Sequence, residues 1–194
     1  MTRLLGSLFA LSIAATPALA EPHRYELDPE HTTIVFMVDH LGYADTLGVF
    51  LDFAGGFSYD METQTLTDVE ITVNTKSVES FNEARDNHVR NKDFLNVEKF
   101  PVMTFTASEG TPTSDTTGTV EGELELLGQK HPLKLEVTLN KAANYPFGHS
   151  RFTLGISARG TVIRSQYGMN YAVDNGFVGD EVNLIIETEA MRME

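Results

Sequence analysis

Apolar and polar residues alternate along most of this chain, the period expected of strands with one buried face. Ile34, Phe36, Val38 and His40 share one side of a first long strand. "DVEITVNT" sets Val69, Ile71 and Val73 against Glu70, Thr72 and Asn74, and Met103, Phe105 and Ala107 follow the same plan. The plainest unit is "GTVEGELELLGQKHPLKLEVTLN". Val120, Leu124 and Leu126 face inward, "GQK" turns, and Leu133, Leu135, Val137 and Leu139 return as the second arm of a β-hairpin. "RFTLGISARGTVI" contributes Phe152, Leu154, Ile156, Ala158 and Val162, and "DEVNLIIETEA" contributes Val182, Leu184, Ile186 and Ala190. With "RYEL" and "GVFLDFAGGFSYD", the pattern predicts an all-β fold of about eight strands.

The outward faces are rich in Glu, Thr, Lys and Asn, so no second layer covers them. One-sided strands in this number pack as a sandwich or close into a barrel. Gly55, Ala107, Gly122, Gly155, Ala158 and Gly160 fall among the inward positions, and small residues there leave room for a guest. Inward glycine also serves bulges and close strand packing. Met37 and Met103 are adaptable material for an interior wall.

One stretch breaks the period. "FNEARDNHVRNKDFLNVEKFP" gathers Arg85, Asp86, His88, Arg90, Lys92 and Asp93 into a short charged helix between strands. Asn82 is placed to cap it, and Phe81 and Phe94 to pin it to the barrel. Two roles fit. Asp86 and Arg90 have the i,i+4 spacing of a helical ion pair, which makes the motif a structural latch. Alternatively Arg85, His88 and Arg90 close a barrel mouth and face a polar head group.

Composition narrows the function classes. "MTRLLGSLFALSIAATPALA" has a basic start, an apolar run and the small-residue site Ala18-Leu19-Ala20, so residues 1–20 read as a signal peptide cleaved after Ala20. Residues 21–194 then form one exported domain. The net charge of −14 over 194 residues disfavours nucleic acid and anionic membrane as partners. No later stretch is apolar and long enough to insert stably in a bilayer. There is no cysteine, which removes disulfides, thiol chemistry and thiolate metal sites.

The segment "YELDPEHTTIVFMVDHLGYADTLGVFLDFAGGFSYD" resembles the opening of the YceI-like family, bacterial polyisoprenoid-binding proteins with a lipocalin-like barrel. The shared pattern includes Asp28-Pro29, His31-Thr32, Phe36, His40, Gly48, Phe50, Gly55-Gly56 and Phe57. "EARDNHVRNKDFLNVEKFPVMTFTA" matches the family's second signature through Arg85-Asp86, His88, Asp93-Phe94-Leu95 and Phe100-Pro101. "GELELLGQKHPLKLEV" and "GTVIRSQYGMNYA" look like its later elements; Val89, Asn91 and Lys130 depart from the usual pattern. The resemblance implies an eight-stranded antiparallel lipocalin-like β-barrel with one short charged helix between strands. It also implies a polyisoprenoid or quinone-like lipid in the interior and a periplasmic location; family members can pair as a homodimer, and the sequence predicts no particular edge for it.

A lipid in that interior would meet Phe36, Val38, His40, Phe50, Met103, Phe105, Leu124, Leu135, Leu154, Ile156, Ala158 and Leu184. Arg85 and His88 are the head-group candidates on the mouth reading. A fatty-acid or fatty-amide barrel, and a filled structural barrel acting through its acidic surface, are the alternatives. His40 reads as a core histidine or a ligand contact, and turn chemistry explains His31. His31, His40 and His88 lack metal-ligand spacing, so neither a metal nor a cofactor is expected. No triad, nucleophile elbow or phosphate-cradling loop is present, and "GYADTLG" and "DNGFVGD" read as plain loops. The expected activity is binding, not catalysis.

Overall fold

The computed structural model describes residues 22–194. The expected signal segment 1–20 and its cleavage point lie outside the described residues. In chain order come β1 (His23–Leu27), β2 (Thr33–His40), β3 (Ala44–Phe50), β4 (Phe53–Asp60), β5 (Thr65–Asn74) and the two-residue β6 (Val78–Glu79). The helix α1 (Glu83–Arg90) follows, then β7 (Val102–Ala107), the two-residue β8 (Thr111–Pro112), β9 (Thr117–Leu126), β10 (Gln129–Asn144), β11 (Phe152–Ile163) and β12 (Val178–Arg192).

These segments merge into fewer, longer staves. β1 and β2 both pair with β12, Tyr25 opposite Arg192 and Val38 opposite Val182, so they are one strand bent at Asp28–Thr32. β3 and β4 form the next stave, pairing with β2 and β1 in turn, and β7 and β8 share β9. The β1–β12 pairing joins the first stave to the last and gives a closed eight-strand antiparallel β-barrel with, among the described residues, one short α-helix. Closure pairs the first and last staves, which would otherwise be exposed sheet edges, and an interior of this size holds side chains or one small guest.

Local chemistry sets the turns. The β9–β10 hairpin reverses at Leu127 and Gly128, with φ of 54° and 70°, the two-residue geometry whose twist matches the flanking strands. The reversal therefore starts one residue before the "GQK" expected from sequence and shares only its Gly128, since Gln129 and Lys130 already belong to β10. β3 likewise begins at Ala44, inside "GYADTLG", because the bent second stave needs that half to pair with β2.

The glycines do not hollow out the barrel as expected. A Cβ on Gly122 would lie 2.6 Å from the Phe105 ring, and one on Gly160 would lie 2.7 Å from Leu135, so neighbouring side chains already occupy that room. Gly55, at φ 125°, lets β4 approach the Glu70 carbonyl on β5. Gly155 alternates with the inward Leu154 and Ile156 and faces Lys141 on the outside. Met37 is outside too, between Phe36 and Val38. Ala158 alone among the small residues named lines the internal space.

Candidate functional site

An apolar tunnel of about 360 Å³ runs through the barrel. Every interior residue expected from the alternation as a lipid contact lines it, except His40. From Leu154 to Val162, β11 spans roughly 26 Å at strand rise, or about 20 Å along the axis once strand tilt is allowed for. One end of the lining reaches the exposed segment around Ser114 and Thr116, where the Gln64 amide donates to the Asp115 carbonyl at 3.1 Å. Toward that end a second packing cluster fills part of the barrel, with Tyr25 stacked on Phe57 at 5.7 Å over Leu154 and Ala190.

His40 is exposed and outside this lining. It is the last residue of β2, and a register shift sets it opposite Val178 while Val38 lies opposite Val182. The bulged ladder carries the strand end to the rim, so sharing a face with Val38 does not bring His40 inside.

The other end is closed by α1, the segment after it, and the turn after β11. Asn82 caps α1 as its sequence suggests, accepting the Arg85 N–H at 3.0 Å, and Glu83 and Asp86 stand in the favourable first turn. Val89, Phe94 and Leu95 line the tunnel. Phe81 does not pin the helix: it has φ 63° and is 72% exposed.

The helix charges face protein groups. Asp86 is 2% exposed and accepts from the Ser80 N–H at 2.7 Å and from the Ser80 hydroxyl. Burial disfavours its charge, but those hydrogen bonds outweigh burial and hold its carboxyl below the usual range. The expected Asp86–Arg90 contact does not form. Arg90 instead donates to the carbonyls of Lys76 at 3.0 Å and Val78, reaching Asp86 only through space. Arg85 donates from Nε to the Ser80 hydroxyl at 2.8 Å and from Nη2 to the Ser80 carbonyl. His88 hydrogen-bonds Asp93 at 3.0 Å and packs edge-on against Phe94 and Tyr171. Neither Arg85 nor His88 lines the tunnel.

The charged group that does so at this end is Arg164, in the turn after β11 and 2% exposed. Its Nε donates to the Gly179 carbonyl and its Nη1 to the Met169 carbonyl, each at 2.7 Å. Its Nη2 donates to Tyr171 and Val178 carbonyls, each at 2.9 Å. Its guanidinium carbon stands 5.7 Å from the Phe94 ring centroid. Burial lowers its pKa, with Asp180 acting in the opposite direction. The alternation could have found it, since Val162 faces inward and Arg164 has the same parity.

At the opposite end the bend between β1 and β2 gathers Asp28, His31 and Glu189, whose ligand atoms lie within 4.8 Å of one another. Asp28 is already engaged, by His31 Nδ1 at 2.8 Å and the Glu30 N–H at 2.9 Å. This is the turn chemistry expected at "DPEHTT", and neither His40 nor His88 joins the cluster.

The YceI-like domain model matches residues 25–190. The chain belongs to the YceI-like family. It is 35% identical over 196 residues to a UPF0312 protein of Pectobacterium carotovorum, covering 100% of both chains. A YCEI protein of Campylobacter jejuni superposes with a TM-score of 0.73 at 26% identity, over 80% of this chain and 90% of that one. A polyisoprenoid binding domain from Saccharophagus degradans, implicated in plant cell wall breakdown, shares the fold with a TM-score of 0.65 at 13% identity, over 88% of this chain and 99% of that one.

Proposed function

We propose that this YceI-like barrel holds a long isoprenoid chain, polyprenyl or quinone-like, and carries or stores it in the periplasm. The observation that carries the reading is the tunnel: a long interior space walled by Leu, Ile, Val, Phe and Met side chains. Each methylene moved there from water contributes about 0.8 kcal/mol, so contact alone supplies a large gross driving force. Such a wall selects by shape and length, which suits an extended branched chain. The polyisoprenoid-binding neighbour with the same fold supports the class of guest. The leader-like residues 1–20 support export.

The test is organic extraction of purified mature protein followed by mass spectrometry. A stoichiometric isoprenoid is the expected result. Protein that stays empty after feeding with prenyl alcohols and quinones would make this a filled barrel, and a stoichiometric fatty acid would move it to the alternative ligand class. For export, intact mass of secreted protein should place the N-terminus at Glu21; retention of residues 1–20 would remove that support.

A further inference from the structure

A guanidinium has five N–H donors. Four of those on Arg164 go to the carbonyls of Gly179, Met169, Tyr171 and Val178, which leaves one N–H, on Nη1. The side chain is buried at the tunnel's closed end, so water does not freely supply the missing acceptor. A buried donor without a partner is costly, and the neighbouring tunnel-lining side chains Val89, Phe94 and Met169 offer no oxygen.

The charge balance narrows what could fill the gap. Asp180 offsets the guanidinium through space, while its own oxygens accept from the Ser165 N–H at 2.8 Å and the Ser165 hydroxyl at 2.7 Å. Among the described residues, Arg164 is the only cation lining the tunnel. A phosphate or diphosphate would need several donors and further positive charge there. A single neutral oxygen needs one donor.

Resting on the lipid-binding reading above, we propose that Arg164 Nη1 anchors a neutral oxygen, a carbonyl or a hydroxyl, at the head of the guest. The head lies inward at the closed end and the tail runs toward the end lined by Gln64 and Ser114. Prenyl alcohols and prenyl quinones share this chemistry.

Equilibrium competition on the wild-type protein tests the chemistry, with four ligands of equal chain length: a prenyl alcohol, a prenyl quinone, the hydrocarbon and the prenyl diphosphate. The alcohol or the quinone should bind roughly ten- to a hundred-fold tighter than the hydrocarbon, the worth of one hydrogen bond to a charged group, and the tighter of the two names the source. Equal binding by all neutral ligands, or tightest binding by the diphosphate, overturns the proposal. Orientation is read separately, from a prenyl chain carrying a benzophenone at its head. Photo-crosslinks should map to peptides containing Val89, Phe94 or Met169; crosslinks at Gln64 or Ser114 overturn it. Arg164→Met should erase the preference for the oxygen-bearing ligand. That variant leaves four carbonyls short of a donor, so if it fails to fold the wild-type experiments still decide. If no chain binds, the hydrocarbon included, the lipid-binding reading itself has failed.

Discussion

The carboxylate of Asp86 accepts two hydrogen bonds from Ser80, one from its backbone N–H at 2.7 Å and one from its hydroxyl. Ser80 is 1% exposed and follows β6 directly, so this contact ties α1 to the barrel wall. Arg85 reinforces it from the outer side through the same serine. Asp86→Ala should therefore lower unfolding stability by about 3 kcal/mol, since it leaves two buried donors unpaired, and Arg85→Met by only about 1 kcal/mol. Urea denaturation measures both. A loss of head-group affinity in Arg85→Met with unchanged stability would contradict the latch. The sign with pH follows from the lowered pKa. The stabilisation is in place above the ordinary carboxyl value of 3.8 and disappears as pH falls through the lower value of the folded state.

Leu124 and Ala158 both line the tunnel and are 7% and 6% exposed. Leu124→Trp and Ala158→Trp should fill tunnel volume and cut lipid uptake while the far-ultraviolet spectrum of the barrel persists. If both variants unfold, these positions are packed core and the space for a guest is elsewhere.

Gly122 tests the account of the interior glycines. An added Cβ would lie 2.4 Å from the Thr106 carbonyl and 2.6 Å from the Phe105 ring. Gly122→Ala should destabilise the barrel by about 1–3 kcal/mol in chemical denaturation, the usual cost of overpacking. A neutral result would mean that this glycine leaves free room after all.

The Asp28–His31 pair at the β1–β2 bend predicts a second pH dependence. The hydrogen bond that His31 donates to Asp28 raises the His31 pKa above its usual 6.5. For Asp28, burial opposes the charge, but the bonds from His31 and the Glu30 N–H prevail and lower its pKa. The His31 contribution is complete below 6.5 and is lost as pH rises through its raised value; the Asp28 contribution is lost on acidification. An NMR titration should place His31 above 6.5, and His31→Gln should remove the alkaline loss of stability. An unshifted His31 titration would refute the pairing.

Alternation along the chain was enough to determine the all-β class and most of the inward apolar residues, and the break in it marked α1 with its Asn82 cap. These are local properties: successive side chains on a strand point to opposite faces, and a cap reaches only the next turn. Which partner each polar group finds depended on closure of the barrel. Tyr25 meets Arg192, Asp86 turns from Arg90 to Ser80, and Arg164 finds its carbonyls at Met169, Tyr171, Val178 and Gly179 only after β11 and β12 pair. The bulge in the β2–β12 ladder put His40 at the rim for the same reason. Local stereochemistry sets the side of the sheet on which a residue lies. The register of sequence-distant strands sets what it meets there, and so which arginine stands at the end of the tunnel.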